Sequence, residues 1–415
     1  NVSFLPILIG SIGFNFLLGS KIQRSKSPTQ NLLIRGGIVA NISLLLYFKY
    51  SSFIVETMNS LLGSSIEFQA LELPLAISFF TFQQIAYLVD SAKMERKPSL
   101  FNYSLFVGFF PQLIAGPIVH HKEMTQQFSD RIASIPYHLV SKGIFIFSMG
   151  LAKKVLIADQ LSPIVHQGFD LAPSLTVAES WISSIAYSFQ LYFDFSGYTD
   201  MAWGAALLFG IQLPQNFDSP YKAFSIQNFW RRWHITLSRF LRDYLYIPLG
   251  GNKNSLARTL LNLFLTFLIG GLWHGAAWTF VVWGALHGLA LVIERIVKHF
   301  FQFTIPRILS IPLTFLFVNF AWVFFRATSF SDAKKVFSGL TAFDASAFTL
   351  PHLSLGKYEI GYLIIAGILA FFGKNSNEWL QSFTSKRIYL YVTIILFVLS
   401  VLHLNRLSEF IYFQF

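Results

Sequence analysis

His274 is a residue of this chain whose type and surroundings suggest chemistry. It lies in the run 270–275 (GGLWHG), inside an apolar stretch that extends from about residue 259 to residue 294. Ionisable side chains inside membrane helices are rare and usually functional, because burying them without a partner is costly. The small residues around the imidazole would let a substrate or a second helix approach it closely. We therefore predict that His274 is catalytic, with Trp273 as a supporting residue.

His287 follows thirteen residues later, in the similar run 283–288 (WGALHG). Thirteen residues is a helical distance, but it does not return to the same face of the helix. A hydrogen bond between two helices explains His287 at least as well as a chemical role does. Both interpretations stay open, and we name His287 as a supporting candidate.

The segment 218–258 is too basic for a membrane span, with seven positive and two negative side chains. Wound as a helix at about 100° per residue, it gathers four arginines in one arc and sets apolar side chains opposite. The sequence therefore predicts a basic amphipathic helix at the membrane interface, with His234 on its apolar side. The four arginines are Arg231, Arg232, Arg239 and Arg242, and the apolar side includes Trp230.

This basic helix has two interpretations. Its arginines could meet lipid phosphates at the membrane surface. They could instead hold a phosphate-rich soluble ligand, such as a nucleotide-containing acyl carrier, through bidentate hydrogen bonds. A histidine on an apolar face is costly unless a partner or a cavity receives it, so His234 favours the ligand. We predict that the arginines and Trp230 bind the donor, with Asn228 as a supporting residue.

Two carboxylates, Asp194 and Asp200, interrupt another apolar run at 192–200 (YFDFSGYTD). They could orient a histidine or bind an acceptor hydroxyl. They could equally be buried structural acids that pair with one of the arginines, and this second interpretation is slightly favoured.

The residue types also exclude several chemistries. The chain has no cysteine, which excludes disulfides, thiolate catalysis and cysteine-based zinc or iron–sulfur sites. It has no Gly-x-Ser-x-Gly nucleophile motif. A histidine that acts as general base is therefore the simplest device for acyl transfer. We predict no metal site and no bound cofactor.

Membrane helices are the elements that must position these residues. Of 415 residues, 54% are hydrophobic and 12% are charged, against roughly 25% charged in soluble domains. Because so few charges cannot cover water-facing surfaces, the bilayer must be the main solvent. A span needs about 20 apolar residues, and about eleven candidate segments qualify: 3–20, 33–54, 72–90, 101–119, 139–158, 180–211, 257–273, 276–294, 308–325, 358–373 and 388–404.

The composition thus predicts an all-α, polytopic membrane protein with one integral-membrane domain over 1–415. Because the chain begins with Asn1 rather than Met, we expect an N-terminal segment to be missing. The chain has a net charge of +11. Polytopic membrane proteins normally carry such an excess of Lys and Arg in their cytoplasmic loops, so we expect no nucleic acid as partner.

Several motifs resemble the membrane-bound O-acyltransferase (MBOAT) family, and most closely its alginate O-acetyltransferase (AlgI) branch. The most specific are the runs 229–238 (FWRRWHITLS), 242–252 (RDYLYIPLGGN) and 271–275 (GLWHG). Supporting matches occur at 111–118 (PQLIAGPI), 150–159 (GLAKKVLIAD), 192–200, 213–221 and 410–415 (FIYFQF). The resemblance therefore covers most of the chain.

The resemblance implies a fold in which re-entrant or interfacial helices surround a central tunnel. It implies that His274 is the catalytic histidine and that His234 is the second polar position of the site. His274 would take a proton from an acceptor hydroxyl as that hydroxyl attacks a thioester. His234 would orient the donor or stabilise the oxyanion. An acyl-histidine intermediate is a less favoured variant.

The resemblance also implies substrates and partners. Acetyl groups would pass from a cytoplasmic donor, acetyl-CoA, across the bacterial inner membrane to an extracytoplasmic polysaccharide such as alginate. A secreted or membrane-anchored SGNH-type acetyltransferase would be the partner that meets the polysaccharide. The expected protein is thus a multi-pass O-acetyltransferase of polysaccharide modification.

Other functions stay open at this point. Within the family, D-alanyl transfer to teichoic acid uses a carrier protein as donor, and peptidoglycan or cellulose could replace alginate as acceptor. A transporter is the alternative from a different class, although the sequence shows no inverted repeat. A purely structural membrane subunit would leave the histidines and arginines without a role.

Overall fold

The computed structural model describes residues 2–95, 98–113, 116–129, 135–301, 305–343, 345–384, 386–404 and 410–411. Every regular element in these residues is helical, so the all-α prediction is confirmed. The contacts divide the chain into two units, which we describe separately. Unit 1 comprises residues 1–136 and 209–214, and unit 2 comprises 137–208 and 215–415. The single integral-membrane domain stays a prediction, as does the central tunnel.

Unit 1 is held together by polar contacts between apolar helices. Asn15 and Asn41 exchange side-chain amide hydrogen bonds of 3.1 and 2.7 Å, and Ser11 donates to Gln84 at 2.6 Å. In lipid, such contacts between helices replace the hydrophobic effect as specific attractions. The helices are α1 Leu5–Arg24, α2 Thr29–Leu45, α3 Ser51–Leu62, α4 Ile77–Ser91, α5 Leu100–Gly108, α6 Phe110–Leu113 and α7 His121–Ser129.

Unit 2 is organised around one long helix of 32 residues, α10 (Val177–Leu208). Five of the helices in the following list pack against α10 and bury most of its length, namely α8, α9, α15, α16 and α17. The helices are α8 Tyr137–Ala152, α9 Asp159–His166, α10 Val177–Leu208, α11 Ile226–Trp230, α12 Ile235–Leu241, α13 Leu256–His274, α14 Trp278–Phe300, α15 Arg307–Arg326, α16 Phe330–Leu340, α17 Lys357–Phe371, α18 Ser376–Ser382 and α19 Arg387–Leu402.

Short 3-10 and π-helical turns connect several of these helices. Single π turns inside helical stretches often mark functional sites. The 3-10 turns are Val2–Phe4 and Pro220–Lys222, and the π-helical turns are Leu46–Tyr50, Lys153–Ala158, Gln167–Leu171 and Arg242–Tyr246.

Five helical stretches in the described residues are long and apolar enough to cross a membrane. They coincide with five of the predicted segments, those at 3–20, 33–54, 257–273, 276–294 and 308–325. The other six predicted segments fall on α4, α5, α8, α10, α17 and α19. The stretches are Leu5–Arg24, Thr29–Leu62, Leu256–His274, Trp278–Phe300 and Arg307–Arg326.

The predicted basic amphipathic helix over 218–258 is not continuous, and this prediction is wrong. Helix α11 ends at Trp230 and α12 begins at Ile235. Between them His234 has φ 42° and ψ 53°, the left-handed conformation that ends a helix,. Distant backbone contacts hold this break, because the Asp218 N–H donates to the Arg232 carbonyl at 2.9 Å. Long-range hydrogen bonds therefore override the local helical periodicity.

Candidate active site

His274 is the last residue of α13, a helix that begins after the capping hydroxyl of Ser255. Its side chain is buried, at 3% exposure. Three aromatic rings surround the imidazole, with centroid distances of 5.0 Å to Trp273, 5.0 Å to Trp283 and 5.2 Å to Phe325. The predicted catalytic histidine therefore lies in an aromatic enclosure that restricts the access of water.

Two glycines let α13 and α14 approach closely enough to form this enclosure. A Cβ on Gly271 would lie 2.4 Å from the Phe280 carbonyl oxygen and 2.9 Å from the Gly284 Cα. A Cβ on Gly284 would lie 2.5 Å from the Phe267 carbonyl oxygen. Any larger residue would push the helices apart, because backbone atoms are the obstacles. The glycines in the two sequence runs thus position His274 against Trp283.

The position of His274 at the C-terminus of a helix suits a proton acceptor. The last carbonyl groups of a helix carry partial negative charge and stabilise a nearby cation, by up to about 2 kcal/mol in partly buried geometries. An imidazole that takes up a proton becomes such a cation. The end of α13 therefore favours the imidazolium that a general base forms.

N–H groups that lack a hydrogen-bond acceptor lie around the same enclosure. The indole N–H of Trp283 and Nε2 of His287 are buried and have no hydrogen-bond partner among the described residues. The Trp230 indole N–H donates to His287 Nδ1 at 3.2 Å. Because Nδ1 is then the acceptor, the neutral ring carries its proton on Nε2. Trp283 and His287 can therefore both donate to an incoming oxygen.

His287 makes the contact between helices that the sequence left open. The Trp230 hydrogen bond joins α11 to α14, and the ring of Trp283 lies 5.0 Å from that of His287. The same contact corrects the prediction for Trp230, which is 6% exposed and lies in the aromatic core. Trp230 thus donates its single N–H to His287 and has no donor left for a phosphate,.

Asn216, which the sequence analysis missed, holds His234 in place. Its Oδ1 accepts hydrogen bonds from the Thr236 N–H at 3.2 Å and the Thr236 hydroxyl at 2.9 Å. His234 Nδ1 lies 3.2 Å from the same oxygen. Since an amide oxygen only accepts, Nδ1 must be the protonated nitrogen and Nε2 keeps its lone pair. The sequence signal is an asparagine just before the basic segment. Its spacing from His234 does not indicate that the two side chains meet.

The two predicted site histidines lie at the two ends of one aromatic cluster. The ring centroid of His234 lies 4.7 Å from that of Phe195, and the ring centroid of Phe195 lies 6.5 Å from that of Trp233. The Trp233 ring lies 5.0 Å from the Trp322 ring, measured between centroids. Trp283 lies 5.6 Å from Trp322, and His274 lies 5.0 Å from Trp283. Trp322 and Phe325 come from α15, far away in sequence, so spacing could not reveal them.

The four predicted arginines do not form one stripe, because the helix is broken at His234. Arg232 is engaged internally, since its guanidinium donates to Asn228 at 3.1 Å and to the Asp218 carbonyl at 2.9 Å. Asn228 therefore supports Arg232 and the end of α11. Arg231 is exposed and Arg239 is half-buried.

Arg242 lies instead at a cavity of about 360 Å³. Asp243 binds its guanidinium through two hydrogen bonds of 2.7 and 3.1 Å, which raise the pKa of Arg242 and keep it charged. Arg295 and Lys298 from α14 line the same cavity, and the sequence analysis did not consider them. Lys298 pairs with Glu294. The cavity therefore brings together three cations from two parts of the chain and one acid, Glu294, which also lines it.

Asp194 and Asp200 are structural acids, but their partners are lysines rather than arginines. Lys154 lies 2.7 Å from Asp194, and Lys153 lies 2.7 Å from Asp200. All four side chains lie at the contact of α10 with the π-helical turn after α8. Lys154 also lies 2.7 Å from Asp159, so one lysine faces two carboxylates and the salt bridges offset only part of the cost of burying the acids,. The predicted pairing with an arginine is wrong, and the preference for a structural role fits these contacts.

Comparison with known proteins tests the resemblance over the whole chain. Residues 30–331 match the family described as MBOAT, membrane-bound O-acyltransferase family. A protein named "Peptidoglycan O-acetyltransferase" from Helicobacter pylori is 50% identical over 385 residues, which cover 85% of this chain and 73% of that relative. The chain belongs to the MBOAT family. It is a multi-pass membrane O-acyltransferase, as the motifs predicted.

Two further relatives of this MBOAT protein have names that give different acyl groups and acceptors. A protein named "Probable alginate O-acetylase AlgI" from Pseudomonas aeruginosa is 39% identical, covering 92% of this chain and 75% of its own length. A "Teichoic acid D-alanyltransferase" from Bacillus subtilis is 27% identical, covering 62% of this chain and 69% of its own length. The acyl group and the acceptor thus differ between MBOAT relatives.

Proposed function

We propose that this MBOAT protein transfers acetyl groups from acetyl-CoA to a glycan outside the bacterial inner membrane. One observation carries the proposal: His274 ends α13 inside an aromatic enclosure, with its ring 5.0 Å from that of Trp283, whose buried N–H has no acceptor among the described residues. A base next to a hydrogen-bond donor is a combination that acyl transfer to a hydroxyl requires. The names of the relatives support acetyl as the acyl group.

His274 acts as the general base in this mechanism. Its ring nitrogen removes the proton of the acceptor hydroxyl as the oxygen attacks the carbonyl carbon of the thioester. The C–S bond then breaks, and the imidazolium returns the proton to the departing thiolate. The products are an acetyl ester and free thiol. The end of α13 favours the transient imidazolium.

Trp283 and His287 stabilise the negative oxygen of the tetrahedral intermediate. Both N–H groups are buried and lack an acceptor among the described residues, so an oxygen that arrives there displaces no existing hydrogen bond. A preorganised donor in a site without water strengthens its bond as negative charge develops. His234, whose Nε2 keeps a lone pair, orients the donor at the other end of the aromatic cluster.

The donor phosphates bind at the cavity of Arg242, Arg295 and Lys298. This assignment replaces the arginine stripe that the sequence predicted, because the break at His234 ends α11 before α12 begins. Guanidinium groups bind phosphate oxygens in a bidentate manner, and an ammonium adds a point charge. Asp243 and Glu294 pair with Arg242 and Lys298, so Arg295, which forms no ion pair among the described residues, is the main contact for a phosphate of a donor such as acetyl-CoA.

The final acceptor of the acetyl group, after the partner, is a hydroxyl of an envelope glycan, with peptidoglycan as the first glycan to test and alginate as the second. The 50% identity to a peptidoglycan enzyme supports this order over the 39% identity to an alginate enzyme. A secreted or membrane-anchored SGNH-type acetyltransferase would carry the acetyl group from the membrane to the glycan. D-alanyl transfer is the weaker alternative, supported by 27% identity.

Ester analysis of cell envelopes tests this function. Cells that lack the protein should lose alkali-labile acetate from peptidoglycan, and wild-type protein should restore it. Loss of ester-linked acetate from an exopolysaccharide instead would assign the alginate-type acceptor. Loss of ester-linked D-alanine with unchanged acetate would contradict the proposal.

A further inference from the structure

We propose that a cleft in unit 2 binds an anionic phospholipid. One of its lining residues, Tyr192, has its ring 6.4 Å from that of Trp233 in the aromatic cluster of the histidines. The cleft has a volume of about 710 Å³ and lies between α8, α10, α17, α19 and the segment 374–384. Pockets that bind small molecules have volumes of roughly 300–1,000 Å³. This inference stands on its own observations and does not depend on the proposed acetyl transfer.

The walls of the cleft suit an acyl chain. They are formed by Met149 and Leu156 near α8, Ile365 and Leu369 on α17, and Leu396 on α19. The outer faces of α17 and α19 are also apolar and exposed, since Ile364, Ile368, Ile394 and Ile395 are each about half exposed. Such faces are stable only in contact with lipid. The cleft therefore lies where lipid chains surround the helices.

One end of the cleft is basic. Lys374 lies just after the end of α17 and Lys386 just before the start of α19, so both mark the same end of these two helices. Both are exposed and line the cleft, and neither forms an ion pair within the described part of the chain. Lysines at the ends of apolar helices extend to the level of lipid headgroups.

A third lysine, Lys153, also lines the cleft. It donates to the Asp200 carboxylate at 2.7 Å and to the Ser376 hydroxyl at 2.6 Å. Its charge is therefore neutralised, and it fixes the start of α18 against α10. No aspartate or glutamate is among the described residues that line the cleft. Lys374 lies 5.4 Å from the centroid of the Trp379 ring, a cation–π contact that leaves its charge without a counter-ion. Lys374 and Lys386 therefore give this end of the cleft a net positive charge that suits an anion.

An apolar cavity with a cationic mouth matches an amphiphile better than a soluble anion. A free phosphate or nucleotide would meet the two lysines but leave the apolar walls in contact with water. A neutral lipid would fill the walls but leave the lysines without a counter-ion. A phospholipid with a net negative headgroup, such as phosphatidylglycerol, satisfies both parts at once. We therefore assign the cleft to an anionic phospholipid.

Native mass spectrometry of the delipidated protein in detergent tests this assignment. We would titrate it with phosphatidylglycerol, with phosphatidylcholine of the same acyl chains, and with glycerol phosphate. The wild-type protein should bind phosphatidylglycerol about tenfold or more tightly than phosphatidylcholine, because two lysines contribute. Millimolar glycerol phosphate should not displace it. Equal affinity for both lipids, or displacement by glycerol phosphate, would overturn the proposal.

Variants test the contributions of the basic end and of the apolar walls to lipid binding separately. Lys374→Gln with Lys386→Gln should abolish the preference for phosphatidylglycerol and leave phosphatidylcholine binding unchanged. Ile365→Trp should fill the cleft and weaken both lipids. The charge-matched control, Lys334→Gln with Lys357→Gln, changes two exposed lysines outside the cleft and should keep the full preference. Loss of the preference for phosphatidylglycerol in the control variant would refute the site, and so would retention of that preference in the Lys374→Gln, Lys386→Gln variant. Thermal transitions measured without lipid verify that each variant is folded.

Discussion

The ring of Trp283 stands at 87° to the ring of His274, with their centroids 5.0 Å apart. This edge-to-face contact joins the C-terminus of α13 to the second turn of α14. The indole N–H of Trp283 is buried and has no hydrogen-bond acceptor among the described residues. An enzyme that leaves a strong donor unsatisfied beside its base can use it when a substrate oxygen arrives.

Trp283→Phe should therefore reduce kcat by about 10²-fold, because removal of one preorganised donor typically costs this much or more. The apparent KM for the donor should change little, since the phenyl ring preserves the packing against His274. Steady-state release of thiol from the acetyl donor measures both constants. Trp181→Phe, on α10 and in contact with Phe320, is the control and should remain near wild type. An unchanged kcat for Trp283→Phe would remove the indole from the mechanism.

The sequence predicted His274 and the close packing around it from local features, and its catalytic role stays a prediction. An imidazole among glycines in an apolar stretch is a local signal, and the close approach at Gly271 and Gly284 follows from residue size alone. The all-helical fold follows similarly from composition. His274 and its glycines were therefore predictable because each depends on neighbours in the chain.

The geometry at His234 was not predictable in the same way. The run 229–238 has the periodicity of one amphipathic helix, yet His234 adopts φ 42°. The hydrogen bonds that stabilise this break come from Asn216 and Asp218, and a helical wheel does not include them. The salt bridges of Asp194 and Asp200 with lysines of another helix were missed for the same reason.

Asn216→Ala should lower both stability and activity. It leaves the Thr236 N–H and His234 Nδ1 without their shared acceptor, and an unsatisfied buried donor costs about 1–3 kcal/mol. We expect a lower thermal transition in detergent and a reduced kcat, since His234 loses its orientation. Asn252→Ala, at an exposed asparagine, should leave the transition unchanged. A stable and fully active Asn216→Ala variant would show that this hydrogen bond does not hold the histidine.

Arg295→Gln with Lys298→Gln should raise the apparent KM for acetyl-CoA by about tenfold or more, because two charged contacts to phosphate are lost. The remaining affinity should depend less on ionic strength, and kcat should be nearly unchanged. Donor titrations at several salt concentrations measure these effects. Arg231→Gln is the matched comparison, since this exposed arginine lies outside the cavity. A larger KM effect for Arg231→Gln would restore the surface-stripe interpretation.

Gly284→Val should destabilise the contact between α13 and α14. The new side chain meets the Phe267 carbonyl and the Gly271 backbone, and overpacking typically costs about 1–3 kcal/mol. The thermal transition should fall, and transfer should fall with it because His274 and Trp283 separate. Gly361→Val on α17, where a Cβ meets open space, is the control. Equal transitions for the two variants would contradict the close approach.

Transfer of labelled acetyl from acetyl-CoA, measured in proteoliposomes that contain the wild-type protein or His274→Ala, tests the catalytic role of His274 directly. His274→Ala should insert normally but transfer about 10²- to 10⁴-fold more slowly, the usual contribution of a general base. His138→Ala, at an exposed histidine, should transfer at the wild-type rate. A correctly inserted His274→Ala variant with near-normal transfer would contradict the catalytic role of His274.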